Sequence, residues 1–142
     1  MKKLICAMLL ILSASYAIDA VEQTRAECLD SKNIQACKKY FYAAKSLCDK
    51  GYDIYCYRLG MIYSTGRYGI AENQAKALEY FKVLCDKGWM RGMTCKYTAL
   101  IYSGALGGVL KNCKQSKIYE RKVCNADNQA SCDFLRQFSA CF

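Results

Sequence analysis

A chain of 142 residues with 11 Cys, no His, no Pro and a net charge of +9 has the length of one domain. The missing histidines exclude Ser-His-Asp and Cys-His catalytic sets and zinc hydrolases with His ligands. The positive charge favours anionic partners, although an exported chain without a recognition motif is not expected to bind nucleic acid.

Export is read from residues 1–17, "MKKLICAMLLILSASYA". Lys2 and Lys3 precede an apolar run from Leu4 to Leu12, and Ser15-Tyr16-Ala17 offers a small-residue cleavage site. This is the pattern of a secretory signal peptide. The run is too short for a membrane span, and no later stretch is long enough either. Cleavage after Ala17 leaves 18–142 as a single domain with ten cysteines and a charge of +7, periplasmic or secreted. An even cysteine count in an exported chain reads as a disulfide framework.

Residues 18–50 read as a partial repeat. Its helix covers 33–48, with Cys37, Tyr40, Phe41, Ala44, Leu47 and Cys48 on one face. Residues 51–87 form a repeat. A helix carries the stripe Cys56, Leu59, Gly60, Tyr63; the loop "STGRYG" follows at 64–69; a second helix over 73–87 carries Ala77, Leu78, Phe81, Leu84 and Cys85. Gln74, Lys76, Glu79, Lys82 and Asp86 lie opposite, as a solvated face. Residues 88–126 repeat the scheme with Cys95, Thr98, Ala99 and Tyr102, then "SGALGG" at 103–108. Residues 127–142 read as a C-terminal cap. Cys48 to Cys85 and Cys95 to Cys132 are 37 residues, while Cys56 to Cys95 and Cys85 to Cys124 are 39. A period of this size marks stacked helical hairpins, neither helix of which buries its stripe alone. "LCDKG" occurs at 47–51 and again at 84–88, and its Gly51 and Gly88 suit the left-handed close of a helix. Gly60 and its counterpart Ala99 are small where a neighbouring helix approaches.

Residues 59–88, "LGMIYSTGRYGIAENQAKALEYFKVLCDKG", resemble a Sel1-like repeat. The resemblance rests on Leu59-Gly60, Tyr63, Gly66, Gly69, Lys76-Ala77, Tyr80 and Gly88. The cysteines flanking each turn are similar to those of the Helicobacter cysteine-rich protein family. Residues 36–104 carry the likeness, and 105–142 carry it through cysteine spacing. It implies an all-α fold, an α/α solenoid of tetratricopeptide-like hairpins. It also implies a secreted protein and, for several family members, a β-lactamase or penicillin-binding label.

Four close cysteine pairs, Cys28/Cys37, Cys48/Cys56, Cys85/Cys95 and Cys124/Cys132, each suit a staple from the end of one helix to the start of the next. Cys113 and Cys141 remain. If 112–125 and 129–141 are antiparallel helices, these two face each other at the open end of that hairpin, outside Cys124/Cys132. No C-x2-C pair or His is present, so neither a metal site nor a cofactor is expected.

No active site is apparent. No serine has Lys three positions later, and the SDN and KTG elements of serine β-lactamases are absent. Glu72 and Lys76 read as a surface i,i+4 pair rather than acid/base machinery. Tyr63 and Tyr102 read as packing residues. Tyr52, Tyr55, Tyr57 and Tyr97 flank the stapled turns and are expected to be partly exposed, with Arg58, Arg67, Lys76 and Lys96 as basic neighbours. Tyr57, Arg58, Lys96 and Tyr97 are the binding candidates, since exposed Tyr beside Arg or Lys makes an interaction surface. The expected function is an interaction scaffold, acting as a monomer on a protein, peptide or cell-wall glycan. The alternative, resting on the resemblance, is a weak β-lactamase or penicillin-binding protein with a β-lactam as ligand.

Overall fold

A computed structural model describes residues 2–31, 33–125 and 129–141. It contains α1 (Lys2–Ser31), α2 (Ile34–Asp49), α3 (Asp53–Thr65), α4 (Gln74–Asp86), α5 (Arg91–Ser103), α6 (Cys113–Cys124) and α7 (Gln129–Phe138), with no strand among the described residues. Each helix packs on the next in sequence, and α7 also reaches back to α5. No helix among the described residues is long and apolar enough to cross a membrane.

Local chemistry sets the helix ends. Asn33, Asn73 and Asn112 recur at intervals of 40 and 39 residues, each as an N-cap whose side chain accepts a backbone N–H of the first turn. In both long hairpins the same asparagine donates its own N–H to a tyrosine carbonyl of the preceding helix: Asn73 to Tyr63 at 2.8 Å, Asn112 to Tyr102 at 2.7 Å. The two "LCDKG" segments close α2 and α4 alike. Gly51 and Gly88 take φ of +91° and +79°. Their N–H groups reach the Cys48 and Cys85 carbonyls, and the next residues, Tyr52 and Trp89, reach Leu47 and Leu84. This paired bonding is a Schellman motif, which fills the orphan carbonyls of a helix end.

Packing repeats as well. Tyr63 stacks on Tyr80 with centroids 6.0 Å apart, and 39 residues later Tyr102 stacks on Tyr119 at 5.7 Å. Lys45–Asp49 and Lys82–Asp86 are equivalent i,i+4 pairs. Asp86 also receives Lys122 at 2.6 Å. Burial raises the Asp86 pKa, but the bonds and charges of Lys122 and Lys82 outweigh it and hold the carboxyl below its usual range. The centre of the molecule is α5, with Thr94, Cys95, Thr98, Ala99, Leu100, Ile101 and Ser103 all buried. Its hydroxyls are satisfied by nearby backbone: Thr94 donates to the Trp89 carbonyl, Thr98 to Thr94 and Ser103 to Leu100, each at 2.8 Å.

The buried faces are broader than the sequence stripes. On α3 the core residues are Tyr55, Leu59, Gly60 and Ile62, while Cys56 and Tyr63 are half-buried. This helix packs on both α2 and α4, so its apolar arc widens. Tyr55, expected to be partly exposed, is buried; its hydroxyl donates to Glu22 of α1 at 2.8 Å. Gln74, expected on the solvated face, is buried in the first turn of α4. Its Nε2 donates to the Ser64 carbonyl and to Glu72, each at 2.9 Å. Glu72 therefore serves Gln74, while Lys76 lies over the Tyr63 ring at 5.1 Å in place of the expected pair. The last helix ends at Phe138 rather than 141. There Ser139 turns inward to donate to the buried Glu120 at 2.7 Å.

Five disulfides join Cys28–Cys37, Cys48–Cys56, Cys85–Cys95, Cys113–Cys141 and Cys124–Cys132. The second, third and fifth tie α2 to α3, α4 to α5 and α6 to α7. The first ties α1 to α2, and the fourth ties the start of α6 to the segment after α7. Such density points to an oxidising compartment, extracellular or periplasmic.

Gly60 tests the packing. A Cβ there would lie 2.7 Å from Phe81 Cε1. Alanine gains about 1 kcal/mol of helix propensity. Displacing a fully buried ring costs about 1–3 kcal/mol. The clash is expected to win, so Gly60→Ala should lose about 1 kcal/mol net in urea denaturation. A stabilised variant would show that the ring yields freely.

Candidate functional site

Three of the four binding candidates meet on one face. Tyr57 comes from α3, and Lys96 and Tyr97 from α5. Beneath them lies Phe81 of α4, fully buried, stacked on Tyr97 at 4.8 Å and tilted against Tyr57 at 5.9 Å. Trp89, the lone tryptophan, stands 5.7 Å from Tyr57. Its place follows from the Schellman close of α4, which puts residue 89 immediately after the left-handed Gly88. On the other side Lys96 Nζ lies 5.5 Å from the Tyr97 centroid and 5.0 Å from that of Phe134. Phe134 is paired with Phe138, one turn along α7, at 4.4 Å.

The result is a strip in which the rings of Trp89, Tyr57, Phe81 and Tyr97 form one run, and the Lys96 ammonium joins it to the Phe134–Phe138 pair. Phe134 and Phe138 are 40% and 50% exposed, although a ring of that size usually seeks cover. Tyr57, Trp89, Lys96 and Tyr97 are half-buried, so their rings are held while part of each stays in contact with solvent. Burial raises the Tyr57 hydroxyl pKa, with Tyr97 adding to it, so the hydroxyl stays neutral at physiological pH. Held aromatic rings with one cation between them offer apolar area at low entropic cost and an attraction for a carboxylate.

Arg58, the fourth candidate, belongs elsewhere. It follows Tyr57 on α3, but its side chain is drawn toward α1. Its guanidinium is ion-paired with Glu22 of α1 and lies 5.1 Å from the Tyr55 centroid. Of the wider set, Tyr52 is 37% exposed at the start of α3, and Arg67 lies exposed in the loop after that helix.

Phe134, Phe138, Phe81 and Trp89 did not stand out as site residues in the sequence. The 134/138 spacing at i,i+4 was the available signal, since it sets both rings on one side of α7. A second cluster also has the atoms of a reactive site. Ser116 Oγ and Ser139 Oγ lie 2.6 and 2.7 Å from Glu120 Oε1. Glu120 is 4% exposed and Ser116 fully buried. A substrate would have no path to that hydroxyl without the helices parting. Ser116 Oγ also lies 3.0 Å from the Ala99 carbonyl, so the cluster bridges α5, α6 and the segment after α7. Its geometry fits a structural role.

Comparison of the chain with family models, curated proteins and solved structures finds no match.

Proposed function

We propose that the chain is an exported interaction scaffold. It is a disulfide-stapled α/α solenoid of Sel1-like hairpins that binds a protein or peptide segment along its aromatic strip. The repeats in this reading are the partial one at 18–50, those at 51–87 and 88–126, and the cap at 127–142. The strip across α3, α5 and α7, with Lys96 bridging Tyr97 and Phe134, carries the proposal. Stacked hairpins present such a face by repetition, and the disulfides hold it rigid before a partner arrives, which lowers the entropic cost of binding. Residues 1–17 serve export in this account. Among the described residues, the α1 side chains packed on the body include Ile18, Val21 and Cys28, which follow the proposed cleavage point.

The partner expected is a segment with apolar side chains and a carboxylate to meet Lys96. Selection from a displayed peptide library on the oxidised protein should yield such sequences. Their affinity should fall about tenfold in Phe134→Ala and in Lys96→Ala, the size of an interface hot spot. Both positions are at least partly exposed, so the variants should keep the parent's thermal midpoint. Binders that ignore both substitutions would sink the strip as the site. A glycan array run beside the library decides whether the face takes carbohydrate instead. Turnover of a chromogenic cephalosporin by protein free of host enzymes would favour the hydrolase reading that the family resemblance implies; none is expected.

A further inference from the structure

Away from the strip, a cavity of about 140 Å³ lies where α1, α2, α3 and the following loop meet. Arg25, Arg58, Arg67, Tyr40, Met61 and Tyr68 line it, with Ile62 and Thr65. We infer that this cavity binds a small oxyanion group, the carboxylate or phosphate end of a larger acidic molecule.

The charge count comes first. Arg25, Arg58 and Arg67 all line the cavity, and Glu22 is ion-paired with two of them, Arg58 and Arg25. That carboxylate also accepts the Tyr55 hydroxyl. Arg67 has no carboxylate partner among the described residues. Three cations against one anion leave a local excess of two positive charges in a partly enclosed place. Repulsion there is stronger than in open water, and a bound anion relieves it.

The donors are also preorganised. Arg58 is held from two sides, by Glu22 and by the Tyr55 ring. Tyr40, which lines the same cavity, is 2% exposed and gives it a fixed wall. A held guanidinium offers a planar fork that matches two oxygens of a carboxylate or phosphate. Arg67, exposed on its loop, supplies the arm that closes over the anion. The next residue, Tyr68, has φ of +62°, a left-handed conformation that is rare for a bulky side chain. In that conformation its ring stands edge-on to Tyr40 at 6.2 Å and forms a cavity wall. Tyr68 and Met61 give an apolar surface for the carbon portion next to the charged group. The cavity admits one oxyanion group, so the rest of the ligand must extend outward.

The test uses the oxidised protein labelled with 15N. Arginine Nε–H signals are followed while inorganic phosphate, or acetate in a parallel arm, is added at constant ionic strength. Saturable shifts are expected at Arg58 and Arg67. Arg67→Gln should raise the apparent Kd about tenfold. Lys117→Gln, which removes the same charge from an exposed site on α6, should change it less than about twofold. Tighter phosphate binding identifies a phosphate ligand, and equal or tighter acetate binding a carboxylate. Shifts that grow without saturation, or equal weakening by both substitutions, would reduce the effect to general charge attraction and overturn the site. So would shifts of the same size at strip residues.

Discussion

Full reduction of the oxidised protein is expected to abolish its cooperative thermal transition. Four of the disulfides close loops with separations of 8 to 10 residues, and the fifth spans 28. In the chain-entropy description each short closure contributes about 2.5 kcal/mol and the long one about 3.6 kcal/mol. Even with incomplete additivity the five supply on the order of 10 kcal/mol, as much as the whole stability of an ordinary domain. The apolar core is divided into clusters between successive helices rather than gathered in one mass. A chain built this way gains little from distant parts of itself, so what links each helix to the next decides its stability. Circular dichroism melts with and without a thiol reductant check this. A reduced sample melting within a few degrees of the oxidised one would contradict it. Among single bridges, removing Cys113–Cys141 by paired serine substitution should cost most, because its loop is the longest.

Phe81→Ala is expected to destabilise the oxidised protein by about 3–5 kcal/mol. The ring has no exposed surface and touches the backbone at Gly60, so α3 packs directly on it. Tyr57 and Tyr97 lean on it from either side. The site cannot collapse to fill the space, because the Cys85–Cys95 bridge one turn along α4 holds α4 and α5 at a fixed distance. The cavity term is therefore retained in full. The same substitution removes the floor of the strip, so binding there should be lost along with stability. Urea denaturation of variant and parent gives the number, and a loss below about 1 kcal/mol would show that the rings repack.

Much of the fold is legible in local sequence. Asparagine caps, "LCDKG" closes and cysteine spacing act over a few residues, so their signals sit beside the structures they produce. The positions of α2, α4 and α6 follow from them to within a residue or two, whereas α7 ends three residues early and the helical course of 18–31 carries no such signal. What escaped is what depends on distant partners. Tyr55 looks like an exposed turn residue until Glu22, 33 positions earlier, arrives to accept its hydroxyl. Gln74 fits a polar face until the Ser64 carbonyl needs a donor. The strip was half visible. Tyr57, Lys96 and Tyr97 lie beside cysteines that mark the repeat, but Phe134 and Phe138 sit in α7, where the repeat pattern is weakest. Arg58 lies away from the strip because Glu22 of α1 and the Tyr55 ring hold its guanidinium, partners that its neighbours in sequence do not reveal.

Trp89 offers the most direct test of the central claim. It is the single tryptophan and stands at one end of the strip, against Tyr57. Titrating a library-selected peptide into the oxidised protein should give a saturable change in tryptophan emission. Its midpoint should move about tenfold higher in the Phe134→Ala variant at the far end of the same strip, while Arg67→Gln leaves it in place. A peptide that binds without altering Trp89 emission, or that binds the Phe134→Ala variant with undiminished affinity, would contradict the account.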